Sequence, residues 1–201
     1  MMTSGERRFA RRLESHLEDD YMCWYNVPVG AWNQHPDFLI FHPRRGLIVI
    51  EVKDWKLENI RSMDRLTATL QVDGREVRKS NPLEQAKQYA FGVCRLLESD
   101  PALVGEPGSS FQGKLAFPWG YGVVLANISR KAFAGTGLGN VIPPERVICH
   151  GSPAGAARHE HGGGHRVIHG VAGSVSDENP GSDLRGIQRC GSLKCGFMHA
   201  M

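Results

Sequence analysis

A chain of 201 residues, 41% hydrophobic, can bury one good core with a small appendage but not two full domains. A formal charge of +3 and a pI near 8.7 tolerate a polyanionic partner without demanding one. The opening MMTSGERRFARRLESHLEDD lacks the apolar run of a secretory signal and is too acidic for a transit peptide, no stretch nears the roughly 20 apolar residues of a bilayer span, and five cysteines are an odd number for a disulfide framework, so a cytoplasmic chain with reduced thiols and no membrane partner is expected.

Thr3 and Glu6 have capping-box spacing, and Phe9, Leu13 and Leu17 then recur at every fourth position, which predicts an amphipathic first helix. An extended segment follows over Tyr21 to Val29. Asp37 to His42 and Leu47 to Lys53 read as two strands around a turn at Pro43 to Gly46; their apolar stretches do not alternate, so both faces should be covered. Leu66 to Val72 alternates and leads through Asp73-Gly74, a hairpin signal, into Arg75 to Arg78. Asn81 caps a helix with Pro82 at its first position, running to about Ser99 with Leu83, Ala86, Ala90, Val93 and Leu97 inward. Asp100 to Gly113 reads as a surface loop, Tyr121 to Ala126 as a buried strand, and Arg146 to Cys149 as a shorter one. Cys23 and Cys94 sit among apolar neighbours and read as buried packing residues. The whole is an α/β core: a central mixed sheet flanked by helices.

Asp37, Glu51 and Lys53 carry the chemistry. A phosphodiester repels nucleophiles and has a poor leaving group, so its hydrolysis calls for a metal that neutralises the oxygens and generates hydroxide near neutral pH. Two carboxylates on adjacent strands can hold magnesium, and Lys53, two residues beyond Glu51, points to the same face of its strand. A two-residue loop at Arg44-Arg45 would set Asp37 opposite Val52, facing away from Glu51; a three-residue loop, Pro43 to Arg45, pairs His42 with Gly46 and sets Asp37 opposite Glu51. An odd-length loop or a bulge is therefore expected.

Pro36-Asp37 followed across one hairpin by Glu51-Val52-Lys53 resembles the core of the PD-(D/E)XK nucleases. Gly5-Glu6 opening the first helix, Trp55 after the lysine and Asn81-Pro82-Leu83-Glu84-Gln85-Ala86 opening the second helix narrow the resemblance to the nuclease-related (NERD) domain, over roughly residues 5 to 130. The resemblance implies a restriction-endonuclease-like fold and the site positions Glu6, Asp37, Glu51, Lys53 and Gln85. It further implies Mg2+ or Mn2+ held by Asp37 and Glu51, hydrolysis of nucleic acid, DNA foremost, and a role in DNA processing. Members often precede a superfamily-one helicase or a kinase-like domain, which implies a helicase fused to or associated with the domain; no Gly-x-x-x-x-Gly-Lys-Ser/Thr occurs in this sequence. The alternative on the same fold is a catalytically inactive module that binds nucleic acid or protein.

Each of these residues also has a plainer reading. Glu6 completes a capping box, Gln85 is a first-turn helix residue, Asp37 is a strand-start residue, and Glu51 with Lys53 forms a surface ion pair. His35 and His42 are strand-end histidines, and Trp32 and Trp55 are packing residues before they are base-stacking platforms. Arg44, Arg45, Lys56, Arg75, Arg78 and Lys79 either steer a phosphate backbone or keep the surface wet.

Composition breaks near residue 150. Residues 151–201 are rich in Gly, His, Ser and Arg without helical or strand period, and little independent structure is expected of them. The break is read as a domain boundary near residue 150, with a frameshift or read-through past a natural junction as the further reading of the tail. Cys190, Cys195 and His199 have a spacing looser than paired Cys-x-x-Cys, with a fourth ligand only from His159, His161, His165 or His169 and no apolar scaffold, so disorder is expected ahead of a zinc site.

Overall fold

Thr3 accepts from the Glu6 amide through its hydroxyl while its own amide donates to the Glu6 carboxylate, and this capping box starts helix α1, Ser4–His16. The computed structural model describes residues 1–30 and 34–152. Trp32 and the Gly/His-rich tail, with its cysteines and histidines, lie outside the described residues. Strand β1, Met22–Tyr25, is shorter than the extended segment expected from the sequence, because Asn26 turns into the left-handed region at φ 51° and Pro28 follows.

Strands β2, Phe38–His42, and β3, Gly46–Lys53, form the hairpin with the register of the odd-length loop: His42 pairs with Gly46 and Phe38 with Ile50. Gly46 takes φ 82°, and a Cβ there would lie 1.8 Å from the Pro118 carbonyl, which accepts the Leu47 amide. Only glycine closes this turn so near the backbone that precedes the next sheet strand.

Strands β4, Ile60–Met63, β5, Thr67–Val72, and β6, Arg75–Ser80, then form a separate three-stranded antiparallel sheet. The sequence signalled the β5–β6 hairpin through Asp73-Gly74. It did not signal β4, a four-residue strand with two exposed positions and an irregular register. Helix α2, Pro82–Leu97, follows, with the Asn81 side chain accepting from the Leu83 amide and donating to the Asp64 carbonyl.

Strand β7, Trp119–Ser129, outruns the expected Tyr121 to Ala126, and a short helix α3, Arg130–Ala134, precedes β8, Val147–His150. The segment expected as a plain loop after α2 holds a 3-10 turn and a bridge from Val104 to Leu115. The main sheet runs β1-β2-β3-β7-β8, antiparallel through β3 and parallel beyond it, hence mixed.

Both faces of β3 are covered. Ile50 and Val52 pack with Phe9, Ala10 and Leu13 of α1, whereas Leu47 and Val49 pack with Ala90 and Val93 of α2. Ile60 and Met63 lean on the cluster of Val123, Leu125 and Ile128, so the small sheet is seated beside β7. Cys94 is buried as expected, and burial pushes its thiol up to about 12; Cys23 lies at the rim of the core, only partly covered. Among the described residues no helix is long and apolar enough to cross a membrane.

Candidate functional site

The β2–β3 register, carried one step beyond Phe38↔Ile50, brings Asp37 opposite Glu51. Asp37 Oδ2 accepts the Val52 amide at 2.7 Å, which fixes this carboxylate against β3. Alternation along β3 puts Glu51 and Lys53 on the α2 face with Leu47 and Val49. Lys53 Nζ lies 2.5 Å from Glu51 Oε1. Glu51 is 3% exposed, and its other oxygen, Oε2, is buried without a hydrogen bond.

A buried carboxylate oxygen with no donor is costly, since it has lost water and gained nothing in return. The electrostatics agree. Burial pushes the Glu51 carboxyl up to about 7; the Lys53 ammonium opposes this, and the Asp37 charge adds to it. Asp37 is raised to about 6, again chiefly by burial, with the Val52 amide and Lys53 pulling down and Glu6 pushing up. Such crowding of carboxylates is relieved by a cation, and the donor set is hard oxygen throughout, the kind that suits magnesium or manganese.

Glu6 arrives from α1. At 8% exposure it completes the capping box weighed from the sequence, and its Oε2 accepts the Thr3 amide and also the Tyr25 hydroxyl, each at 2.8 Å. Its charge is felt by Asp37 and Glu51, and Tyr25 has its phenol pKa raised by burial and by Glu6. The four groups Glu6, Asp37, Glu51 and Lys53 thus form one electrostatic cluster.

Gln85 stands a little apart. Leu83 of α2 packs with Val123 and Leu125, the strand partners of Glu51 and Lys53, while Ala90 packs with Leu47 and Val49, so Gln85 lies level with Glu51 along β3. Its amide donates to the Tyr89 hydroxyl at 2.9 Å, a bond within its own helix. Trp55 is partly exposed and belongs to none of the core clusters, so the packing expected of it is incomplete.

Two residues at the site escaped the sequence reading: Tyr25, which holds Glu6, and Asp54. Asp54 Oδ2 accepts the Gly5 amide at 3.0 Å, Arg8 lies 3.7 Å from its Oδ1, and the Asn127 side chain donates to its carbonyl at 2.6 Å. A Cβ on Gly5 would stand 2.1 Å from Asp54 Oδ1 and 2.7 Å from Ala126 Cβ, which explains a glycine at the second position of a helix. The only signal available was the side-by-side occurrence of Gly5-Glu6 and Lys53-Asp54, which have no local relation.

His42, expected to be an ordinary strand-end histidine, is 3% exposed and belongs to a second group of potential ligands. Its ring, Glu18 and Asp20 offer atoms within 4.8 Å of one another. This group lies at the hairpin end of β2, about 16 Å from Asp37 by strand rise. The Arg44 amide donates to His42 Nδ1 at 3.0 Å, so Nδ1 carries no proton and Nε2–H donates to Asp20 at 2.8 Å. A cation would need the lone pair that this proton occupies. Arg45 meanwhile pairs with Glu18 and bonds the Tyr21 hydroxyl, and the set reads as a clasp from the end of α1 to the hairpin.

Against known proteins, the model of a family described as the nuclease-related domain matches residues 3–118, from the capping box through the loop before β7. Comparison with curated proteins and with solved structures finds no match.

Proposed function

Because this chain belongs to the nuclease-related domain (NERD) family, its matched region covering more than half of its length, we propose that it hydrolyses nucleic-acid phosphodiesters, DNA foremost, with Mg2+ or Mn2+ held by Asp37 and Glu51. The observation that carries the reading is the buried, unbonded Oε2 of Glu51, a carboxyl pushed up by burial and further by the charges of Asp37 and Glu6. The mixed sheet between helices supports a restriction-endonuclease-like core.

A bound cation supplies neutralisation of the phosphate oxygens and acidification of water. Lys53 holds the attacking water or a phosphate oxygen with its ammonium and offsets charge that grows as the new bond to phosphorus forms. Glu6, fixed by Thr3 and Tyr25, assists as an outer carboxylate. Gln85 orients the water or Lys53 when its amide leaves Tyr89. A cytoplasmic setting, supported by the buried free thiols of Cys94 and Cys149, and a helicase domain or protein as companion in DNA processing complete the proposal.

The test is cleavage of single- and double-stranded DNA by the full chain, with and without magnesium or manganese, beside Lys53→Ala. Metal-dependent cleavage, reduced by about 10²-fold or more in the variant, is expected. Absence of cleavage with either metal on either substrate contradicts the reading.

The small sheet supports the choice of a polyanion. Residues 56–80 hold six of the chain's basic side chains against four acidic ones, and Arg61, Arg65, Arg75, Arg78 and Lys79 are all exposed. Among the described residues none of these five has a carboxylate within ion-pair distance, whereas Arg45 and Lys56 are paired with Glu18 and Glu58. Replacing Arg61 and Arg78 together by Ala is expected to flatten the slope of log K against log salt for DNA binding by about 2. A slope equal to wild type removes this surface from the binding path.

A further inference from the structure

We infer that Asp54 is a positioning residue: by accepting the Gly5 amide, it sets α1 in the one placement that delivers the Glu6 carboxylate to Asp37 and Glu51. The inference rests on the metal-binding reading above and goes beyond it, because Asp54 itself holds no metal and lies outside the set of residues that the family resemblance points to.

The geometry is that of a cross-brace. The Gly5–Asp54 bond spans 49 residues, and one of its ends is next in sequence to Glu6 while the other is next to Lys53. A helix start leaves its first amides without internal partners, and a carboxylate there satisfies one of them and complements the helix dipole. Thr3 takes the Glu6 amide, and Asp54 takes the Gly5 amide. The contact admits no other residue at position 5, since a Cβ would overlap Asp54 Oδ1.

Asp54 is held in turn from a third element. Arg8, one turn along α1, lies against Asp54 and donates to the Ala126 carbonyl at 2.9 Å and to Asn127 Oδ1 at 2.6 Å; Asn127 donates back to the Asp54 carbonyl. α1, the end of β3 and the end of β7 are thereby locked together at the edge of the site. Asp54 Oδ1 is buried without a hydrogen bond and faces the Arg8 guanidinium 3.7 Å away, so the side chain serves α1 at two points, the Gly5 amide and Arg8. Both contacts flank Glu6, which follows Gly5 directly and precedes Arg8 by two residues.

The test is a double-mutant cycle read by calorimetric titration of Mn2+ into the full chain. Asp54→Ala is expected to weaken uptake about 10-fold, within the range for groups that orient metal ligands. Asp54→Asn, which keeps an acceptor for the Gly5 amide, is expected to recover most of the loss. In a Glu6→Gln background Asp54→Ala is expected to cause no further loss, because the carboxylate it positions is gone. Gly5→Ala displaces Asp54 from the opposite end of the bond and must reproduce the pattern, which keeps the inference open to refutation if Asp54→Ala does not fold. Wild-type affinity in both Asp54→Ala and Gly5→Ala, or a full 10-fold loss persisting in the Glu6→Gln background, overturns the role of Asp54 and leaves the metal reading standing. No uptake by the wild-type chain overturns the metal reading and this inference with it.

Discussion

Glu51→Gln is expected to lower metal-dependent DNA cleavage by about 10²–10³-fold or more while the protein stays folded and still binds DNA. Glutamine keeps the volume of the side chain and an oxygen that can accept the Lys53 ammonium now bonded to Oε1. What it loses is the charge at Oε2, the buried atom with no hydrogen bond that the proposed site offers to the cation. Because Asp37 and Glu6 remain, loss of cleavage with retained binding separates a metal ligand from a surface that merely docks nucleic acid. Cleavage by the Gln variant at the wild-type rate would move the chemistry elsewhere. A wild-type chain that binds DNA and never cuts it would identify a binding module that keeps the fold without turnover.

The metal-free protein is expected to melt at a higher temperature at pH 5 than at pH 8, and Glu51→Gln is expected to remove much of that slope. Both Asp37, raised to about 6, and Glu51, raised to about 7, bind protons more tightly when folded than when unfolded. The folded state therefore gains as protons bind. Its advantage is complete below the unfolded values near 4 and is lost as pH rises through the folded ones. For Glu51 the full effect is on the order of 3 kcal/mol, or roughly 6–12 °C in melting temperature for a domain of this size. The two carboxylates interact, so their effects do not add. A divalent cation that binds only the folded state reverses the trend at pH 8, where both groups are ionised and ready to hold it, and does little at pH 5. At pH 8 without metal, Glu51→Gln is accordingly expected to melt above wild type. Thermal melts of both proteins at the two pH values, with and without millimolar magnesium, check each part; identical pH slopes would show that burial does not strain Glu51.

Much of this was legible because local rules and tertiary demands agree. The β2–β3 register followed from counting residues in one loop, since Asp37 and Glu51 share a face only if His42 meets Gly46. The capping box of α1 and the Asn81-Pro82 start of α2 are written in three or four residues each. Failures came where the deciding contact is distant. β1 stops at Tyr25 although apolar residues continue, because one left-handed residue turns the chain. β4 is too short and too exposed to carry a period, and it exists because β5 pairs with it and Ile60 and Met63 find the β7 core. β7 runs on to Ser129, where it pairs with His150 of β8 beyond a shift in register after Leu125.

The candidate site divides in the same way. Glu51 and Lys53 are two residues apart on one strand, so their meeting was readable from period alone. Glu6 was placed on the inward side of α1, but the tyrosine that holds it comes 19 residues later and nothing in the spacing announces it. Asp54 looked like one more polar residue after a strand. Gln85 was read as a group that orients the water or Lys53, and its amide is bonded to Tyr89, a partner one helical turn away on its own helix.

The central claim is that Asp37 and Glu51 converge on a divalent cation, and calorimetric titration of Mg2+ into the full chain at pH 8 tests it most directly. Magnesium is the ion to use because the histidines and cysteines of the chain are poor ligands for it, which leaves the carboxylates as the sites read. The account predicts uptake at a single site in the wild-type protein and its loss in Glu51→Gln. No uptake at millimolar magnesium, or uptake that Glu51→Gln leaves unchanged, would contradict it.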